Sequence, residues 1–135
     1  MSEDTALLFA NEAFYVAFAT RDIAAMEAAW ADLPGLTCIH PGWTALIGRD
    51  RVMGSWRSIL ANPEAPNVAF HNAAAHRAGD AGYVTCIELV DTVPLAATNI
   101  FVRRNGVWRM LHHHASPAPA PPARASGAAP PPSIQ

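Results

Sequence analysis

One carboxyl group and a set of histidines could do acid–base chemistry in this chain if the fold gathers them on one surface. Glu88 interrupts an otherwise apolar run from Tyr83 to Val90. Turned inward, it would lose hydration, which raises a carboxyl pKa, while a facing histidine would lower it. An imidazole held by such a carboxylate is a general base matched to neutral pH. His112 and His114 are two residues apart, so in a strand they share a face and His113 takes the other. The plainer alternatives for Glu88 are a solvated outward side chain or a buried ion pair that only fixes a sheet.

Other residues could complete a site. Asn99 and Tyr15 carry donors that could bond a developing enolate, the step at which preorganised donors count most. His40, just before Pro41, either lines a pocket wall or is a turn residue bonded to backbone. Phe101 and Trp108 are candidate apolar contacts for a ligand, whereas the remaining Trp and Phe residues read mostly as core. His76, near a hairpin tip, is expected in solvent. Cys86, among aliphatic neighbours, reads as an inert core thiol rather than a nucleophile. His71, Glu88, His112 and His114 could also supply a two-histidine, one-carboxylate metal set. Nothing in the spacing demands one, so no metal and no cofactor are expected, and metal dependence stays an alternative.

The elements that must position these residues follow from periodicity. Residues 4–19 repeat apolar side chains at helical spacing (Leu7, Ala10, Phe14, Ala17, Phe18), with Asp4 as a cap. Asp22 opens a shorter helix through Ile23, Met26, Ala29 and Trp30, stopped by Pro34-Gly35. A strand is expected over 36–40 and a brief one over 43–47. Asp50 caps a third helix, in which Val52, Met53, Trp56, Ile59 and Leu60 share a face. From residue 67 the period changes to two, giving strands 67–78, 81–91, 95–104 and 107–115. Gly79-Asp80 and Asn105-Gly106 are two-residue hairpin turns, the second a strong signal because both positions take positive φ. Helices first and a meander last predict an α+β domain with helices on one face of a bent sheet.

Two-residue turns also predict a register. Phe101 then opposes Met110, Asn99 opposes His112, and Ala97 opposes His114. His71 opposes Glu88, and with a tight Thr92-Val93 turn Glu88 meets Ala97 and Cys86 meets Asn99. Opposed residues share a face. One face would be apolar at one end (Val84, Phe101, Met110, Trp108) and polar at the other (His71, Glu88, Asn99, His112, His114), as a ligand pocket is. A single bulge would move every later side chain across the sheet.

Composition narrows the classes. The chain has 135 residues, enough for one domain, and is 51% hydrophobic. Its net charge is −2, and its nine cations are all scattered arginines, which excludes the basic stripe of a nucleic-acid binder. The Ala-, Pro- and Arg-rich usage suggests a bacterial coding bias. An acidic start and two distant cysteines, Cys38 and Cys86, predict a cytoplasmic protein with reduced thiols. No apolar run nears the ~20 residues of a membrane helix. Residues 117–135 hold seven of the twelve prolines and are expected to be a disordered tail after a domain over 1–116.

Several stretches together resemble a known superfamily. They are Asn11-Glu12-Ala13-Phe14-Tyr15 with Ala17-Phe18, Asp22, Trp30, His40-Pro41-Gly42, Gly48-Arg49-Asp50 with Trp56, Ala97-Thr98-Asn99-Ile100-Phe101, and Trp108 through Ser116. In this order, over roughly residues 4–116, the chain resembles the nuclear transport factor 2-like superfamily. It is similar to its SnoaL-like and ketosteroid-isomerase-like bacterial members and to the association domain of calcium/calmodulin-dependent kinase.

The resemblance implies a cone-shaped, strongly bent antiparallel sheet with three N-terminal helices on its concave face, commonly a homodimer through the outer sheet face. It does not imply one activity, since such domains include isomerases, dehydratases, cyclases and oligomerisation hubs. Tyr15 could match the tyrosine of ketosteroid isomerases, but their two sheet acids have no counterpart. The Asp-Arg-Asp set of limonene-epoxide-hydrolase-like members is absent. The histidines and carboxylate of scytalone-dehydratase-like members find their nearest likeness in His71, Glu88, His112 and His114.

The expected function is a pocket for a small molecule, with Glu88, His71, His112 and His114 as candidate proton movers. Tyr15, His40, Asn99, Phe101 and Trp108 are its candidate contacts. The chemistry would be a cofactor-independent isomerisation, dehydration or cyclisation of a small apolar carbonyl compound. The rival is a domain that only binds a ligand or oligomerises. Neither nucleic acid nor membrane is an expected partner.

Overall fold

Local chemistry sets the helix boundaries in the computed structural model, which describes residues 2–118. Helix α1 spans Glu3–Ala19, and its cap is Ser2, whose side chain accepts the Thr5 N–H; Asp4 lies in the first turn instead. Asp22 caps α2 (Ile23–Ala29) through Ala25 N–H as expected. That helix stops before Trp30, which forms a bridge to Met110. Strands β1 (Thr37–Ile39) and β2 (Leu46–Ile47) follow. Helix α3 covers Arg49–Ala61, with Gly48 at the cap position and Asp50 inside the first turn, where a carboxylate favours the positive helix end. The meander is β3 (Val68–Ala78), β4 (Ala81–Val90), β5 (Val93–Arg104) and β6 (Val107–Pro117).

The six strands form one open sheet in the order β2-β1-β6-β5-β4-β3. It is mixed rather than wholly antiparallel, because β1 runs parallel to β6. The three helices pack against its concave side, giving the expected α+β cone. The buried α1 residues Leu7, Phe14, Tyr15 and Ala17 meet Val84, Phe101, Met110 and Trp108 from the strands. At Gly82 an added Cβ would lie 2.7 Å from Leu7 Cδ2 and 3.2 Å from the His76 carbonyl oxygen, so α1 lies close over a glycine of β4 and any larger residue there would make Leu7 shift. Among the described residues no helix is long and apolar enough to cross a membrane. The expected disordered tail lies outside the described residues except for its first two positions, and Pro117 itself belongs to β6.

One shifted turn and two bulges set the register, and the bulges decide which side chains face the helices. The β4–β5 turn is Asp91-Thr92, with Asp91 at φ 55° and Val90 paired with Val93. Glu88 therefore opposes Leu95, Cys86 opposes Ala97, and Asn99 opposes Val84. This slip of two residues leaves Glu88 and Asn99 on the inner face. In β3 a bulge between His71 and Ala74, with Asn72 at φ 58°, pairs Phe70 rather than His71 with Glu88. In β6 the pairing jumps from Phe101–Met110 to Ile100–His112, leaving Leu111 as the surplus residue. Beyond it Asn99 opposes His113, and Ala97 opposes Ala115.

Those two bulges correct the expected polar face. His71, His112 and His114 were expected beside Glu88, but each extra residue turns the following side chains over. His71 and His114 are exposed on the outer face, and His112 is half-buried there against Thr37, whose Oγ1 is 2.6 Å from His112 Nδ1. His76 lies exposed on the same face, stacked on Tyr83 with ring centroids 4.8 Å apart.

Candidate active site

The inner face gathers Glu88 from β4, Asn99 from β5, His113 from β6, and Asn11 and Tyr15 from α1, all buried. Asn11 and Tyr15 are four apart on α1 and so lie one turn above the other, facing the sheet. The Tyr15 hydroxyl donates to Glu88 Oε2 at 2.7 Å and lies 3.4 Å from Cys86 Sγ. Asn99 Nδ2 donates to Asn11 Oδ1 at 2.8 Å and to the Tyr15 oxygen at 3.1 Å. Asn99 Oδ1 is thereby left as the acceptor, 2.5 Å from His113 Nδ1, so that ring nitrogen carries the proton. A neutral His113 then bears its lone pair on Nε2, which stands 3.5 Å from Glu88 Oε2. Aromatic rings of Phe14 and Trp56 flank the imidazole, with centroids 4.9 and 5.9 Å away.

A second imidazole approaches from β1. His40 is buried, with Nε2 2.9 Å from Ser55 Oγ. Ser55 donates its own proton to the Val52 carbonyl at 2.7 Å, so its oxygen accepts from His40 Nε2–H and leaves Nδ1 as the unprotonated nitrogen. The rings of His40 and His113 are 6.5 Å apart.

Burial sets the charge states. Desolvation pushes the Glu88 carboxyl up from its ordinary value, only partly offset by the Tyr15 hydrogen bond. It holds His113 well below the usual imidazole range, helped by the neighbouring His40, His112 and His114. It lowers His40 to about 4. The Tyr15 hydroxyl and the Cys86 thiol are both raised, first by burial. Cys38 is pushed up to about 12 by burial and by Glu88. Neither thiol is poised as a nucleophile.

Three of these groups border a cavity of about 200 Å³. Glu88, His113 and His40 supply its polar lining, while Phe18, Trp43 and Val90 are among its apolar walls. Trp43, 50% exposed, packs edge-on against His40 at its rim. Larger hollows lie elsewhere, one beside Arg104 and Arg109 and another beside Arg49 and Arg51, but neither contains a buried acid–base pair.

Of the expected site residues, Glu88 and His40 border the cavity. Tyr15 and Asn99 lie behind it, their hydrogen-bonding groups engaged with protein. Phe101 and Trp108 are buried toward the other end of the sheet, with Trp108 under Arg103, whose guanidinium carbon is 5.5 Å from the ring centroid. His113, assigned by simple alternation to the outer face, is the inner histidine. The residues of the alternative metal set are split between the two faces, and among the described residues no group of three or more His, Cys, Asp or Glu is placed to hold a metal ion.

A signal for His113 existed in the apolar pattern. Trp108 and Met110 point inward, and so does Ala115, so one surplus residue has to fall between positions 110 and 115. The same change of parity separates Phe70 from Ala75 in β3.

Comparison with known proteins gives a family and a fold. The model of the SnoaL-like domain matches residues 8–121. The F-box protein SKIP8 of Arabidopsis thaliana is 28% identical over 113 residues, 82% of this chain and 49% of that protein, so the chain spans about half the length of this curated relative. A solved structure from Streptomyces avermitilis, an inferred dehydratase of the NTF2-like family, is 32% identical with a TM-score of 0.77 over 87% of this chain and 97% of that one. An inferred calcium/calmodulin-dependent protein kinase type II association domain from Thiobacillus denitrificans is 32% identical with a TM-score of 0.73 over 81% and 92% of the two chains.

Proposed function

We propose that this chain, which belongs to the SnoaL-like domain family, is an acid–base enzyme acting on a small carbonyl compound without a cofactor. The observation that carries this reading is the buried pair of Glu88 and His113 at the wall of the cavity, 3.5 Å apart. Its neutral form offers a base, Nε2 of His113, and an acid, the Glu88 carboxyl. His113 takes the proton from the carbon beside the carbonyl, the electron pair moves toward oxygen, and Glu88 gives its proton to that oxygen. An enol is formed, and the pair is left as imidazolium and carboxylate with no change in total charge. In an isomerisation the enol proton returns to Glu88 while the imidazolium protonates another carbon. In a dehydration the imidazolium protonates a departing β-hydroxyl and Glu88 recovers the enol proton, which regenerates the starting pair. Tyr15 and Asn99 are positioning residues: Asn99 fixes the tautomer of His113, and Tyr15 holds Oε2 of Glu88.

The inferred dehydratase among the similar structures supports this class of reaction. The test is exchange of the α-protons of 2-hydroxycyclohexanone in deuterated water, followed by NMR. Exchange accelerated by the wild-type protein and lost in both Glu88→Gln and His113→Gln supports the reading; exchange unchanged in the two variants sinks it.

A second reading is self-association, with or without chemistry. It is favoured by the likeness to an association domain and by the outer sheet face, where Tyr83, Ile87, Leu89, Ile100 and Val102 line up on adjacent strands. A homodimer through that face would cover them.

A further inference from the structure

We infer that the cavity takes a neutral, single-ring-sized compound bearing a hydroxyl beside a carbonyl, and that it rejects carboxylates. The inference deepens the proposed acid–base reading and rests on its assignment of Glu88 and His113.

Size comes first. At about 200 Å³ the cavity is smaller than the roughly 300 Å³ at which drug-sized pockets begin. A polycyclic substrate does not fit, and a six-membered ring with small substituents does.

Charge comes second. The ionisable groups lining the cavity are Glu88, His113 and His40, and no arginine is among the lining residues; lysine is absent from the chain. Arg21, near Phe18 in sequence, is engaged by the Asn62 and Ala65 carbonyls. Arg57 pairs with Glu27, and Arg49 bonds carbonyls at the end of α2 and just beyond. An anionic ligand would therefore shed its hydration without meeting a counter-charge, beside a carboxyl that could itself only add negative charge.

The hydrogen-bond pattern comes third. His113 Nδ1–H is committed to Asn99 and His40 Nε2–H to Ser55, so the imidazoles keep Nε2 and Nδ1, respectively, as acceptors. Glu88 Oε2 already accepts from Tyr15; in the neutral pair of the proposed reading its carboxyl proton is the donor. A ligand complementary to this wall brings one acceptor to Glu88 and a donor to an imidazole, as a hydroxyl adjacent to a carbonyl does.

The experiment compares three probes on the full chain by isothermal titration at about pH 7.5: 2-hydroxycyclohexanone, cyclohexanone and 2-hydroxycyclohexanecarboxylate. The hydroxy ketone is expected to bind more tightly than either of the others by a factor on the order of ten, because each competitor leaves a buried group unpaired or a charge unmatched. Equal or tighter binding of the carboxylate overturns the charge half of the inference. Equal binding of cyclohexanone overturns the donor half, and failure of the hydroxy ketone to bind at millimolar concentration overturns both. Binding without α-proton exchange ends the catalytic reading while leaving this inference intact; exchange with a preference for the carboxylate does the reverse.

Discussion

Nε2 of His113 stands 3.5 Å from Oε2 of Glu88, and the two side chains are 1% and 2% exposed. Either group charged alone in that position would be poorly solvated, so the pair is stable either as acid and imidazole or as carboxylate and imidazolium. The two forms differ by one proton moved from Glu88 to His113, and their attraction in the second form offsets the loss of hydration. Desolvation favours the first form at rest; in the proposed reaction, proton traffic with a ligand passes through the second.

Replacing Glu88 separates chemistry from stability. Glu88→Gln keeps an oxygen to accept from Tyr15 but removes the acidic proton. Turnover of any substrate should fall by about 10²–10⁴, the usual worth of a positioned acid or base, with a melting temperature near that of the wild type. Glu88→Ala should instead destabilise the fold by ~1–3 kcal/mol, since the Tyr15 hydroxyl loses its acceptor. Circular dichroism melting alongside an exchange assay checks both.

The three consecutive histidines should behave differently. His113→Gln is expected to abolish activity. His112→Gln and His114→Gln, on the opposite side of β6, should leave kcat within about twofold, since surface changes away from the chemistry usually have small effects. Loss of activity in His112→Gln with retention in His113→Gln would contradict the register of β6.

Tyr15→Phe tests positioning. The Tyr15 hydrogen bond lowers the Glu88 pKa against the dominant effect of burial, so its removal should raise that pKa further. The alkaline limb of the rate profile, where Glu88 loses its proton, should then move to higher pH. A lower rate with an unmoved limb would mean that Tyr15 acts only on packing.

Acidification should destabilise the fold between about pH 6.5 and pH 4. His40 is lowered to about 4, so between these values the unfolded chain binds a proton that the folded one refuses. Stability present above 6.5 is therefore lost as pH falls, by about 3 kcal/mol from His40 at ~1.4 kcal/mol per unit. His113 and His112, both lowered, act in the same direction. Glu88, raised, acts oppositely, since its folded form holds a proton that the unfolded chain releases above about 4.5. Denaturant titration at several pH values should show the net loss on the acid side, and His40→Asn should flatten it.

Ile100→Arg on the outer face should dissociate a homodimer formed through that surface without altering the cavity. Sedimentation of wild type and variant gives the answer directly. A wild-type protein that is monomeric at micromolar concentration would remove the self-association reading.

Most of the fold was legible because long elements average over many residues. Seventeen residues of α1 and the Asn105-Gly106 turn, both at positive φ, announce themselves through periodicity and turn chemistry. Glu88 and Asn99 keep their inward parity because the β4–β5 slip is of two residues. His113 and His71 were misassigned because a bulge is a local choice with no fixed residue signature. At Leu111 nothing in the residue itself marks it as surplus; only Trp108, Met110 and Ala115, taken together, require a change of parity. The residues around His40 fit a pocket wall and a backbone-bonded turn equally, and the partnership of Ser55 with it depends on how α3 packs over β1, which no spacing along the chain encodes.

The bulge in β6 makes the identity of the inner imidazole a matter of how the backbone pairs rather than of composition. Deleting Leu111 would remove the bulge and leave His112 opposite Ile100 and His113 on the concave side, whereas straightening the bulge with Leu111 kept in the pairing would carry residues 112 and 114 inward and send 113 out. Between related sequences, a β6 of the same length that pairs without the bulge would thus exchange the inner imidazole without any substitution. Aligning such sequences column by column would conceal the exchange, and a change of parity between the apolar positions on either side of the histidines, as between Met110 and Ala115 here, is the feature that reveals it.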